Sequence, residues 1–123
     1  MRQLLKILVP ILTILAAPVA SQEILYELVD TGILTDPERG QGIEMRVKPS
    51  GVPNDGFFGE SNQLALPTVC KHYAPSVIPF IADKFGLTEP EFIAVRLVSG
   101  SSIFGKYILE FYAIQNGTCG DEL

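Results

Sequence analysis

The chain has 123 residues, with fourteen acidic against nine basic, and two of the nine, Arg2 and Lys6, precede the first acid, Glu23. Residues 22–123 therefore hold seven cations and fourteen anions, a net −7 that repels phosphate backbones and anionic bilayers and argues against nucleic acid as a partner. That length suits one hydrophobic core, not two.

The apolar run Ile7–Val19 behind Arg2 and Lys6 has the form of a secretory signal, which places the rest of the chain in the periplasm or outside the cell. The run is shorter than the roughly 20 apolar residues a spanning helix needs, and Pro10 and Pro18 shorten its helical part further, so no stable membrane anchor is expected. Val19 and Ser21 are the small residues a signal peptidase reads, giving a leader of residues 1–21 and a single α+β domain of residues 22–123; a cut after Ala20 is the alternative.

Glu23–Asp30 reads as a first strand, with Ile24, Tyr26 and Leu28 on one face, and the pattern breaks from Thr31 to Gly42 into an exposed connection. In Ile43–Lys48 the alternation is clean: Ile43, Met45 and Val47 turn inward while Glu44, Arg46 and Lys48 face water. Pro49–Gln63 is a Gly- and Pro-rich loop, either a lid or a poorly ordered excursion. The adjacent Phe57 and Phe58 within it need a core to tuck into or a partner to touch.

From Leu66 the period becomes helical, because Leu66, Val69, Cys70, Tyr73, Ala74, Val77, Ile78, Ile81 and Phe85 fall on one stripe. Pro67 suits the first turn and Gly86 the C-terminal cap, while Pro75 and Pro79 predict a kink or two shorter helices. A third strand spans Glu91–Val98, with Ile93, Val95 and Leu97 inward and Arg96 outward. After a turn at Ser99–Ser102, a fourth strand spans Phe104–Ile114, with Leu109, Phe111 and Ala113 assigned to the core. The order β-β-α-β-β predicts a four-stranded antiparallel sheet with a Pro-kinked helix on one face. Leu25, Val29, Phe92, Val98, Ile108 and Tyr112 then form an apolar surplus on the outer face, which suits a second layer, a partner or a homodimer.

Cys70 and Cys119 are the only cysteines, and in an oxidising compartment they are expected to pair. The chain-entropy model assigns their closed loop about 4 kcal/mol.

Catalytic patterns are weak. His72, the only histidine, lies two residues after Cys70, so on a helix the two side chains diverge. One histidine and a bonded cysteine pair do not build a zinc site, and Asp30, Asp36 and Glu38 do not have calcium-loop spacing. The Ser99–Ser102 turn lacks a nucleophile elbow, and Glu89, Glu91 and Glu110 read as surface charge. No catalytic residue, metal ligand or cofactor is therefore assigned. Asn116-Gly117-Thr118 matches a glycosylation acceptor and equally an ordinary turn, and the tail Gly120–Leu123 lacks the basic residue of an endoplasmic-reticulum retention signal.

Two stretches carry a resemblance: Cys70, Tyr73 and Pro75 on the helix, then Pro90–Ile93, Ile103–Gly105 and Glu110–Cys119. They are similar to a family of small exported bacterial proteins of unknown function. The resemblance implies bacterial export, the Cys70–Cys119 pairing and one compact domain, with no reaction to carry over. The expectation is a small exported non-enzymatic domain that binds a protein or small ligand; an enzyme whose site assembles only in the fold, or an envelope-associated structural protein, is the alternative.

Overall fold

The computed structural model describes residues 23–100 and 105–123; the predicted leader, and Ser101 and Ser102 of the predicted turn, lie outside the described residues. The elements run β1 (Tyr26–Asp36), β2 (Gly40–Pro49), α1 (Glu60–Phe85), β3 (Ile93–Val98), β4 (Tyr107–Gln115) and β5 (Thr118–Glu122). All five strands form one sheet in the order β1-β2-β3-β4-β5, with α1 across one face. The fold is α+β, but the sheet is mixed and five-stranded where a four-stranded antiparallel one was expected.

The parallel pair is β2 and β3. A helix of 26 residues runs about 39 Å, at 1.5 Å per residue, and returns the chain to the end of the sheet where β2 began. The next strand must then run alongside β2 in the same direction. The fifth strand follows a two-residue turn at Asn116 and Gly117, and its residues Thr118–Glu122 carry no apolar–polar alternation to reveal it.

β1 reaches Asp36, where the sequence suggests a break at Thr31. The register shifts between Leu28 and Asp30, so Val29 is an extra residue that resets which side chains face the core. Tyr26 and Leu28 point inward before the bulge and Ile33 after it, a pattern no fixed period of two can follow. The exposed connection shrinks to a tight turn in which Asp36 Oδ2 accepts the backbone N–H groups of Glu38 (3.0 Å) and Arg39 (2.9 Å).

The inward assignment holds on β2 and β3: Ile43, Met45, Val47, Ile93, Val95 and Leu97 are fully buried. On β4 it is inverted. Ile108, Tyr112 and Ile114 face the helix, while Leu109 and Phe111 lie on the face shared with Ala94 and Arg96. Both faces of that strand are apolar, so only the position of α1 decides which is the core. The supposed outer surplus changes accordingly: Ile108 and Tyr112 belong to the core, Phe92 is buried on the open face, Val98 is half-buried, and Leu25 and Val29 remain exposed.

The helical stripe is as read, with Leu66, Val69, Cys70, Ala74, Val77 and Ile81 buried, but Phe85 at its end is exposed. α1 begins at Glu60, a turn and a half before the first stripe residue, because Asp55 Oδ2 accepts the Ser61 N–H (2.9 Å) and supplies the N-terminal turn with an acceptor. Pro67 therefore lies inside the helix, together with Pro75 and Pro79, and α1 is one unbroken element, not two shorter helices. Pro75 and Pro79 are exposed, so the carbonyls they leave without a donor, those of Lys71 and Pro75, face water. Gly86, in the left-handed region at φ 65°, closes the helix with its N–H on Asp83 O and the Leu87 N–H on Ala82 O.

The Cys70–Cys119 disulfide is formed and ties the middle of α1 to β5. Both cysteines are almost inaccessible, at 0% and 3% exposure.

Candidate functional site

The face of the sheet opposite α1 is open, and two backbone rows organise it. Asp30, Arg46, Arg96 and Leu109 align across β1 to β4, and beside them Gly32, Glu44, Ala94 and Phe111. Strand alternation keeps these side chains on one surface while their neighbours fill the core.

Glu44 is the centre of this surface. Arg96 Nε donates to Glu44 Oε2 at 2.7 Å and Nη2 to Oε1 at 3.4 Å, while Arg46 Nη2 stands 3.7 Å from Oε2. One carboxylate thus lies between two guanidiniums, and the triad carries a net positive charge. The Arg96 guanidinium lies 4.7 Å over the Tyr107 ring, so stacking fixes the plane that the hydrogen bonds also fix. Its pKa is raised by the hydrogen bond to Glu44, which holds the cation against partial burial. Arg46 is the more exposed partner, with 44% of its side chain exposed against 19% for Arg96.

Beside the triad is a notch of about 150 Å³, lined by Asp30, Thr31, Gly32, Ile33, Glu44 and Arg46. It exists because Gly32 has no side chain: a β-carbon there would meet nothing within 4 Å. Asp30 forms one wall, with its Oδ1 accepting the Thr31 N–H at 2.9 Å.

Towards the β1–β2 turn the open face is covered by its own aromatics. Phe92 is fully buried, packs edge to face on Phe111 (5.1 Å) and lies across Gly42, where a β-carbon would stand 2.5 Å from its ring. Arg39 caps Phe111 at 4.3 Å and pairs with Asp36 at 3.5 Å. Phe92 is thus satisfied within the chain, and the triad and its notch are the polar part of this face that stays open.

The aromatic loop divides its two residues. Phe57 is buried in the core, and its carbonyl accepts Asn62 Nδ2 (2.9 Å); Asn62 Oδ1 accepts the Tyr26 hydroxyl (2.8 Å), and the Tyr73 hydroxyl donates to the Tyr26 carbonyl (2.6 Å). Fully buried Asn62 therefore has both ends of its amide bonded, and the loop is fixed to β1 and α1. Phe58 stands edge-on to Phe57 at 5.0 Å and is 53% exposed, so of the predicted pair only Phe58 reaches solvent.

The other candidates disperse. His72 is exposed and meets the Tyr73 ring edge to face at 4.8 Å, while Cys70 is consumed in the disulfide. Glu91 lies against Gly40 in the β1–β2 turn, and Glu110 accepts the Tyr112 hydroxyl at 3.0 Å. Asp55 is held below the usual carboxylate range, chiefly by the Ser61 N–H. Tyr26 is raised by burial and by the Asp55 charge, and Tyr112 is raised well above the ordinary phenol range by burial and then by Glu110. Among the described residues no group of three or more His, Cys, Asp or Glu is placed to hold a metal ion, and no helix is long and apolar enough to cross a membrane.

Sequence reasoning places Glu44, Arg46 and Arg96 each on a wet face but does not bring them together, because the triad depends on the parallel pairing of β2 and β3. Gly32 had no signal at all, since it falls in the stretch read as a break. Comparison with protein families, curated proteins and solved structures gives no match.

Proposed function

We propose that this chain is a small exported bacterial domain, non-enzymatic and periplasmic or secreted, that binds a partner protein across the open face of its sheet. The observation that supports it is the notch over Gly32 beside the Glu44 carboxylate and the Arg96 guanidinium already held in place, with Arg46 at its edge. Pre-positioned charge lowers the ordering cost of recognition, because fewer side chains have to be immobilised on binding. A volume of about 150 Å³ falls below the roughly 300–1,000 Å³ of typical small-molecule pockets, which favours one inserted side chain of a protein over a free ligand. Phe58 is a second contact in this reading, and a second copy of the chain is one form the partner takes.

Gly32→Leu is the test, because the substitution fills the notch where a β-carbon is unopposed. Replacing a strand glycine should leave stability unchanged or raise it by about 0.5–1 kcal/mol. Immobilised wild-type and Gly32→Leu protein are exposed to extracytoplasmic extract of the producing organism, and the retained proteins are quantified by mass spectrometry. The expected result is a partner kept by wild type and by a helix-side control, Lys71→Glu, and lost from Gly32→Leu. Identical retained sets would refute the site. Intact mass of the exported protein, expected to start at Gln22, tests the leader separately.

A further inference from the structure

Asn116 and Gly117 form the whole connection between β4 and β5, since Gln115 and Thr118 on either side are paired. Both are in the left-handed region, at φ 56° and 77°, the conformation a two-residue hairpin turn requires. Asn116 is exposed at the tip, and the residue after it has no side chain to shield its backbone nitrogen. In such a turn the Gly117 N–H is not the group that closes the hairpin; that bond belongs to Thr118.

We propose that Asn116 is a site of spontaneous deamidation, and that its β-linked product releases β5. The Gly117 nitrogen attacks Cγ of Asn116, the new C–N bond closes a five-membered imide, and the side-chain nitrogen leaves as ammonia with the proton from the Gly117 amide. Water then opens the imide at either carbonyl. One opening gives aspartate; the other gives isoaspartate, in which the main chain runs through the former side chain. Either product adds one negative charge to a chain that is already acidic.

The sequence contains its own comparisons. It has three asparagines, Asn54, Asn62 and Asn116, and only the last precedes glycine. Asn54 is exposed but followed by Asp55; Asn62 is fully buried with both ends of its amide bonded. Asp55 precedes Gly56, but closing the same ring from an acid needs a protonated carboxyl, and the Ser61 N–H favours the ionised form.

Isoaspartate matters here because it adds a methylene to the main chain of a turn with no spare residue. A two-residue turn cannot absorb that length and keep Gln115 opposite Thr118 and Ile114 opposite Cys119. β5, five residues at the sheet edge, is then retained mainly by the Cys70–Cys119 bond.

The test holds the disulfide-bonded protein in mildly alkaline buffer, then digests it and follows the three asparagine peptides by mass. The Asn116 peptide should acquire the mass of the acid and split into two isomers, one of them a substrate for an isoaspartyl methyltransferase. An Asn116 peptide that stays intact while reduced, denatured protein converts would overturn the proposal, as would conversion of Asn54 at the same rate. For the second half, the isoaspartate form is separated by chromatography and compared with Asn116→Asp. Faster amide exchange over residues 118–122 in the isoaspartate form is expected; equal exchange overturns the release of β5.

Discussion

Removing the disulfide by the double substitution Cys70→Ala and Cys119→Ala should cost a third or more of the stability of this domain. The two cysteines are 49 residues apart, and restraining a loop of that length in the unfolded chain is worth about 4 kcal/mol in the chain-entropy model. Both sulfurs are buried, so replacing them with methyl groups leaves small voids that add about 1 kcal/mol. Against a total of about 5–15 kcal/mol for a domain of this kind, the variant is near the edge of folding. Urea unfolding followed by circular dichroism provides the assay. At about 1–2 kcal/mol per molar urea, the midpoint should fall by about 2.5–5 M, with a somewhat steeper slope because the unlinked unfolded chain exposes more surface. A loss below about 1 kcal/mol would show that α1 and β5 hold each other by packing alone, and the reading of the bond as the staple of a small core would be wrong.

Three further outcomes follow from other parts of the molecule. Pro79→Ala restores a donor for the Pro75 carbonyl on the exposed side of α1 and should raise stability by about 1–2 kcal/mol, the gain in helix propensity less the added freedom of the unfolded chain, measured by the thermal midpoint. Glu44→Ala leaves Arg96 half-buried without its carboxylate and should cost about 1–3 kcal/mol in urea, with Arg96→Ala adding little on top because the two act as a pair. Tyr26 and Tyr112 both have raised pKa values, so the folded state binds their protons more tightly than the unfolded chain does. Their contribution is complete below about pH 10, where free tyrosine begins to ionise, and is lost as pH rises towards the folded values. Phenolate absorbance should show these two tyrosines ionising together with alkaline unfolding; ordinary titration of all tyrosines in folded protein would contradict the burial.

The parts of this fold that the sequence reveals are those where one face differs from the other. Ile43, Met45 and Val47 alternate with Glu44, Arg46 and Lys48, and β2 is placed correctly, face and all. β4 has apolar residues on both sides, and nothing local distinguishes Leu109 and Phe111 from Ile108 and Tyr112. Periodicity locates the strand, and the helix above it chooses the face. β1 was legible only as far as its bulge. Of the candidate site, the residue types were visible but not their meeting, because Glu44 and Arg96 are 52 positions apart and join through a strand pairing that alternation does not encode. The disulfide was accessible to a different logic, since two cysteines have only one pairing to make within the chain.

The parallel seam between β2 and β3 divides the way the chain must assemble. β1 with β2, and β3 with β4 and β5, are each built from neighbours in sequence. The seam instead joins Met45 to Val95 across the whole length of α1. This topology predicts that the two units form early and that the costly event is their docking, with α1 as the strap that limits how far they separate and covers the join once made. Side chains within those units, already packed before docking, should act chiefly on the folding rate, whereas contacts along the seam that tighten only after docking should act on the unfolding rate.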